Sequence, residues 1–179
     1  GPPGLGKTTL ANIIATEMKG KLHASIGTSI QKFTDIVDLF EDVFEGDIVF
    51  IDEIHRIPIK LEELLYTAME DGYIDLGNER IYIPKFTLVG ATTRLGNLSK
   101  PLRDRFGIQL RLEYYSQEEL VSIAHRTASV LNVAITSDGA LTLASRSRGT
   151  PRILNSFIRR AVDMMHATGK DTIDETVAL

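Results

Sequence analysis

GPPGLGKTT, residues 1–9, fits the pattern G-x-x-x-x-G-K-[ST]. Gly1, Gly4 and Gly6 let backbone N–H groups turn inward around a phosphate chain, with Leu5 carried between the last two. Lys7 reaches the terminal phosphates, the Thr8 hydroxyl can ligate Mg²⁺, and Thr9 completes the nucleotide-binding stretch. Leu10, Ile13, Ile14 and Met18 recur at helical spacing, which predicts a helix over residues 7–19 with its positive end at the same phosphates. A loop of this kind hangs from a buried strand on its N-terminal side. The sequence begins at the loop itself, so the chain is expected to be part of a longer protein.

A second motif lies some forty residues on. DIVFIDE, residues 47–53, is an apolar run ending in two acids. Such a run reads as a buried parallel strand whose C-terminal end faces the ligand. Asp52 is placed to hold Mg²⁺ and Glu53 to orient and deprotonate water. A GTPase would carry N-K-x-D for its base, and no such run occurs. Asp104-Arg105-Phe106-Gly107 matches D-x-x-G only by chance, too late in the chain. The pair therefore points to ATP hydrolysis.

The 179 residues suffice for one cored domain plus a small satellite, and 43% apolar with 25% charged residues is an ordinary globular balance. No apolar run approaches a membrane span. The absence of cysteine excludes disulfides and thiolate metal sites and fits a cytoplasmic setting. A net charge of −4 argues against a basic nucleic-acid-binding domain, so any action on DNA needs a partner, a further part or a local patch.

Periodicity predicts strands at 22–26, 86–91 and 108–112, helices at 30–44 and 58–69, and a hairpin over 73–83 turning at Gly77-Asn78. Strands alternating with helices give a parallel, three-layer α/β sheet. After Tyr115 the pattern becomes helical. Ser116 and Glu119 form a capping box, a second helix covers 137–146, Thr150-Pro151 opens a third, and a fourth runs over 171–179. The division expected is an α/β ATPase subdomain, residues 1–115, and a helical lid, residues 116–179.

In this order, GPPGLGKTTLA, FIDEIHR, GATTR, PLRDRFG, RLEYY and RGTPRI resemble the RuvB family of Holliday-junction branch-migration ATPases, within the AAA+ class. The resemblance covers nearly the whole chain, and DEIHR, LRDRFG and GTPRI are its most specific parts. It implies an AAA+ P-loop fold and an ATP- and Mg²⁺-dependent motor subunit of a hexameric ring acting in DNA recombination and repair. The implied partners are a RuvA-like junction-binding protein, a RuvC-like resolvase and duplex or junction DNA, the last through a C-terminal winged-helix domain that this sequence lacks. The hairpin over 73–84 is shorter than is usual in the family.

The same resemblance implies roles for single residues. Thr93 matches the polar group that senses the γ-phosphate. Arg105 matches the arginine finger that reaches the neighbouring subunit's ATP, with Arg103 as the alternative. Arg152 matches the lid arginine on the phosphates, Tyr115 the residue beside the adenine or ribose, and Glu70-Asp71-Gly72 a segment at the nucleotide-containing subunit interface. His55 follows the acids, and without a second ligand at metal spacing it reads first as a polar turn residue, with a relay role as the alternative. The competing functions are another AAA+ engine, such as a clamp-loader subunit, and a non-catalytic ATP-sensing scaffold.

Overall fold

The computed structural model describes residues 1–75, 77 and 79–179; Asn78 of the expected hairpin turn lies outside the described residues. The chain divides into two compact units, one of Gly1 and Lys7–Arg111, the other of Pro2–Gly6 and Leu112–Leu179.

The first unit runs α1 (Lys7–Met18), β1 (Leu22–Ile26), α2 (Phe33–Phe40), β2 (Ile48–Asp52), α3 (Ile59–Asp71), β3 (Tyr73–Asp75), β4 (Arg80–Tyr82), β5 (Thr87–Gly90) and α4 (Lys100–Arg105). The sheet order is β1-β2-β5, all parallel, with Leu22 opposite Ile48 and Ile48 opposite Thr87. Central β2 is buried on both faces, as its unbroken apolar run requires. Val49 and Ile51 face Ile36, Phe40, Leu61, Leu65 and Leu102 of the helices, while Phe50 faces Ala11 of α1. The result is the expected three layers. β3 and β4 form the antiparallel hairpin.

The helix α1 forms where predicted, but not on the predicted face. Ala11 and Ala15 are buried, whereas Ile13 and Met18 are about half exposed. Small side chains let the helix approach Phe50 closely, which larger ones would prevent. The helix expected over 30–44 is only α2. The Asp35 carboxylate accepts the Gln31 and Lys32 amides and so fixes the start, and those bonds hold its pKa low. At the other end the Asp47 carboxylate takes the Phe44 amide and Gly46 turns at φ +89, so residues 41–47 form turns. Val43 is buried and Phe44 exposed. Pro58 is the N-cap of α3 rather than part of its first turn.

The strand expected over 108–112 is absent. Ile108 and Leu110 are 80% and 71% exposed. Their alternation with Gln109 and Arg111 suits a half-buried strand, but a strand needs a ladder partner, and the described sheet gives this segment none.

The second unit holds α5 (Gln117–Val130), β6 (Ala134–Ile135), α6 (Ser137–Arg146), α7 (Pro151–Ala167), β7 (Thr172–Ile173) and α8 (Glu175–Ala178). Leu120, Ala124, Leu143, Leu154, Ile158 and Met165 form its core. The capping box is present: Ser116 Oγ accepts the Glu119 amide, and Glu119 accepts the Ser116 amide. Thr150 precedes α7 as expected but makes no capping bond; its hydroxyl donates to the Arg148 carbonyl. The helix expected over 171–179 starts only at Glu175. Thr172 and Ile173 pair in parallel with Ala134 and Ile135, and Asp174 then caps α8 through the Val177 amide. Among the described residues no helix is long and apolar enough to cross a membrane.

Candidate functional site

The site of the first unit is built on the C-terminal ends of β2 and β5. Asp52 is the last residue of β2, and its Oδ1 accepts the Glu53 amide at 2.9 Å. Glu53 then leaves the strand direction at φ 49, ψ 41, a left-handed conformation that costs a non-glycine residue roughly 1–3 kcal/mol. The surroundings hold it there. Ile54 is buried and its amide donates to the Ala91 carbonyl beyond β5, while the Gly27 Cα packs against the Glu53 carbonyl so closely that a Cβ would lie 2.3 Å from it. The strained turn lifts the Glu53 carboxylate off the sheet, where it keeps 27% side-chain exposure.

Three side chains meet this carboxylate or each other. The Thr93 hydroxyl donates to Glu53 Oε2 at 3.3 Å. His55 Nε2 lies 3.4 Å from the same oxygen, and His55 Nδ1 lies 2.8 Å from Thr92 Oγ1. Glu53 and Thr93, both named from the sequence, are thus brought together. His55 lies in the short turn Ile54–Arg56, as the sequence reading had it, but its side chain is only 3% exposed and takes part in this group. The missed signal is the short turn itself: with Ile54 anchored in the core, its neighbours Glu53 and His55 are fixed beside it.

At the other edge of this group, the Lys7 ammonium donates to the Gly1 carbonyl at 2.9 Å, and the Gly1 nitrogen donates to the Thr92 carbonyl at 3.0 Å. The first residue of the phosphate-loop motif thus reaches the end of β5. Thr8 and Thr9 stand exposed in the first turn of α1, where helix amides favour anions.

Arg105, Glu70 and Tyr66 form a separate cluster between α3 and α4. Arg105 donates to the Tyr66 hydroxyl at 2.9 Å, its guanidinium stacks 4.7 Å over the Tyr66 ring, and it forms an ion pair with Glu70. The Tyr66 hydroxyl first and the Glu70 carboxylate second hold the guanidinium pKa above its ordinary value. Arg105 Nε is buried without a partner. The neighbouring Asp104 pairs with Arg103. Asp71 ends α3 and Gly72 caps it at φ 70, with the Gly72 carbonyl accepting the Ile83 amide.

In the second unit, residues 2–6 pack on the start of α7. The Gly4 carbonyl accepts the Arg152 amide at 3.3 Å, and the Leu5 carbonyl accepts the Tyr115 hydroxyl at 3.3 Å. Gly4 sits at φ +80, and a Cβ there would meet Thr150 at 2.9 Å, so only glycine fits. Gly6 also has positive φ, at 94. Four predicted nucleotide-binding positions, Gly4, Leu5, Tyr115 and Arg152, are therefore brought together.

The chain is similar over its whole length to known proteins. The Holliday junction DNA helicase RuvB P-loop domain family matches residues 1–112, and the RuvB AAA lid domain family matches residues 115–179. The Holliday junction branch migration complex subunit RuvB of Oenococcus oeni is 51% identical over 185 aligned residues, covering 99% of this chain and 55% of that protein. The same subunit of Leuconostoc mesenteroides is also 51% identical, with 99% and 53% coverage. A mutant of Thermotoga maritima RuvB superposes with a TM-score of 0.94 at 47% identity, over 99% of this chain and 58% of that one. The chain thus spans about half the length of the curated relatives it matches. The two family models together span residues 1–112 and 115–179, and with relatives at 51% identity they show that the chain belongs to the RuvB family, as its P-loop and AAA lid domains.

Proposed function

We propose that this chain is the ATP-hydrolysing engine of a ring motor that drives Holliday-junction branch migration in recombination and repair. The observation that carries the reading is Glu53, held off the end of β2 with its carboxylate met by the Thr93 hydroxyl. The names of its relatives, Holliday junction branch migration complex subunits, support that reading of the substrate.

The donor set suits Mg²⁺-ATP: an ammonium for the terminal phosphates, and a hydroxyl with a carboxylate, hard oxygen donors, for the metal. When bound, Mg²⁺ neutralises charge on the phosphates and so makes them open to attack. Thr8 and Asp52 would hold the metal. Gly1, Gly4, Leu5, Gly6, Lys7 and Thr9 would hold the phosphates. Tyr115 would lie beside the nucleoside and Arg152 on the phosphates. Glu53 takes the proton of the attacking water, and Thr93 keeps its carboxylate turned to that task. Arg105, with Glu70-Asp71-Gly72, would work at a subunit interface of a hexamer. Residues 1–115 would form the ATPase subdomain and 116–179 the lid. A RuvA-like protein would seat the ring on duplex or junction DNA, a RuvC-like resolvase would follow, and the setting would be the cytoplasm.

The test is ATP turnover by the intact protein, with and without junction DNA, for the wild type, Glu53→Gln and Lys7→Ala. Glu53→Gln keeps the shape and removes the base. It should bind ATP normally and lose about 10²–10⁴-fold in turnover. Lys7→Ala should lose affinity for a non-hydrolysable triphosphate. Wild-type protein that binds ATP without turning it over would make the chain a nucleotide-sensing scaffold instead.

A further inference from the structure

We infer that His55 is a positioning residue for Glu53: Thr92 holds its imidazole as the neutral Nε2–H tautomer, and Nε2–H donates to Glu53 Oε2 and fixes that carboxylate for its work on water. The inference rests on the reading of Glu53 as the base.

The tautomer follows from the acceptor that faces Nε2 and the donor available to Nδ1. A ring that is 3% exposed must satisfy its nitrogens inside the protein. Nδ1 has Thr92 Oγ1 at 2.8 Å. That oxygen already accepts the Arg94 amide at 2.9 Å and keeps its own hydrogen to donate. Donated to Nδ1, it makes Nδ1 an acceptor and places the ring proton on Nε2. Nε2 then presents a donor to Glu53 Oε2, 3.4 Å away. The opposite tautomer would set a lone pair against a carboxylate that, when ionised, only accepts.

The arrangement divides the labour on Glu53. The Thr93 hydroxyl and His55 Nε2–H converge on Oε2, so this oxygen takes the orienting contacts and Oε1 is assigned to the water. Both contacts are long, as contacts to catalytic groups often are before substrate tightens them. His55 is too buried to meet the water itself. It acts through Glu53, and through Thr92 it ties the turn after β2 to the end of β5.

The experiment measures kcat, KM for ATP and nucleotide affinity in the intact protein for His55→Phe, His55→Gln and Thr92→Val, with the imidazole nitrogen spectrum of the wild type. By analogy with lost orienting partners elsewhere, His55→Phe should lower kcat by about 10–100-fold while KM and affinity stay within a few-fold. His55→Gln, whose amide can donate in place of Nε2–H, should recover most of that loss. Thr92→Val should lower kcat less and weaken the Nε2–H preference in the spectrum. Combined with Glu53→Gln, His55→Phe should cost little more, because both act through one carboxylate. Unchanged kcat in His55→Phe, losses that multiply in the double variant, or a wild-type spectrum showing Nδ1–H or imidazolium where histidine is ordinarily neutral would overturn the inference. If His55→Phe does not fold, Thr92→Val and the spectrum decide. If the wild type turns over no ATP, the reading of Glu53 fails, and the spectrum still reports whether Thr92 sets the tautomer.

Discussion

The two units spend their polar side chains differently. In the helical unit the capping bonds are local: Ser116 with Glu119, Thr136 with Gly139 and Asp174 with Val177 are each three residues apart. In the α/β unit the bonds of the candidate site are long-range, with Thr93 and Glu53 40 residues apart and Thr92 and His55 37 apart. Local bonds start helices. Long-range bonds between strand ends hold side chains where no single segment would put them. The proposed chemistry sits in the α/β unit because a parallel sheet gathers the ends of distant segments on one edge.

The largest effect expected from breaking that pattern is at Arg105, which is held by Tyr66 and Glu70 of its own chain. If it also serves as a finger across a ring interface, Arg105→Ala should bind ATP almost normally and lose about 10³–10⁵-fold in turnover. Mixing Arg105→Ala with Glu53→Gln subunits sharpens the test. Each homo-ring is dead, but a mixed ring has interfaces where an intact Glu53 meets an intact Arg105. ATPase rate against mixing ratio should peak at intermediate composition. A flat line, with mixed assembly verified, would confine Arg105 to its contacts with Tyr66 and Glu70.

The same contrast explains what the sequence revealed. The capping box at Ser116 and the helix at 137–146 are written in residues a few positions apart, and the structure has both. The burial of β2 follows from its own apolar run. The strand expected over 108–112 depends on a neighbour, which no local pattern reports, and there Ile108 and Leu110 lie exposed. The end of α2 depends on Asp47, a residue that reads as the start of the next strand. The placement of Asp52 and Glu53 at the end of β2 was legible because spacing within a motif carries it. The burial of His55 was not, because it depends on Thr92, 37 residues away.

Two glycines offer a middle-sized test, one in each unit. A Cβ on Gly27 would lie 2.3 Å from the Glu53 carbonyl, and one on Gly139 would lie 2.5 Å from the Ile173 carbonyl. Both Gly→Ala changes press a methyl against backbone, and each should cost on the order of 1–3 kcal/mol of stability, read by thermal or denaturant unfolding. Only Gly27→Ala displaces the left-handed turn that carries Glu53, so only it should also lose turnover in protein that remains folded. Equal loss of ATPase in both variants, at matched folded fraction, would mean that activity follows global stability and not the turn.

The smallest effect compares two carboxylates held by hydrogen bonds, Asp47 in the α/β unit and Asp174 in the helical one. The Phe44 amide, then His23 and the Lys21 amide, lower the Asp47 pKa to about 2. The Lys170 ammonium, then the Thr176 hydroxyl and the Val177 amide, lower that of Asp174. In an unfolded chain either group titrates near 3.9. A folded pKa below the unfolded one stabilises the fold above that value, and the contribution fades as pH falls from about 4 to about 2 for Asp47. Thermal melting of wild type and Asp47→Asn should therefore show a gap that is full at neutral pH and closes over that window. Asp174→Asn should open a smaller gap at neutral pH. The Asp174 side chain is 39% exposed against 10% for Asp47, and water screens its pairing with Lys170. Asp47 also joins Lys21, His23 and Phe44, so its loss loosens the approach to both β1 and β2. A larger gap for Asp174→Asn would mean that the local cap in the helical unit matters more to stability than the long-range carboxylate beneath the sheet.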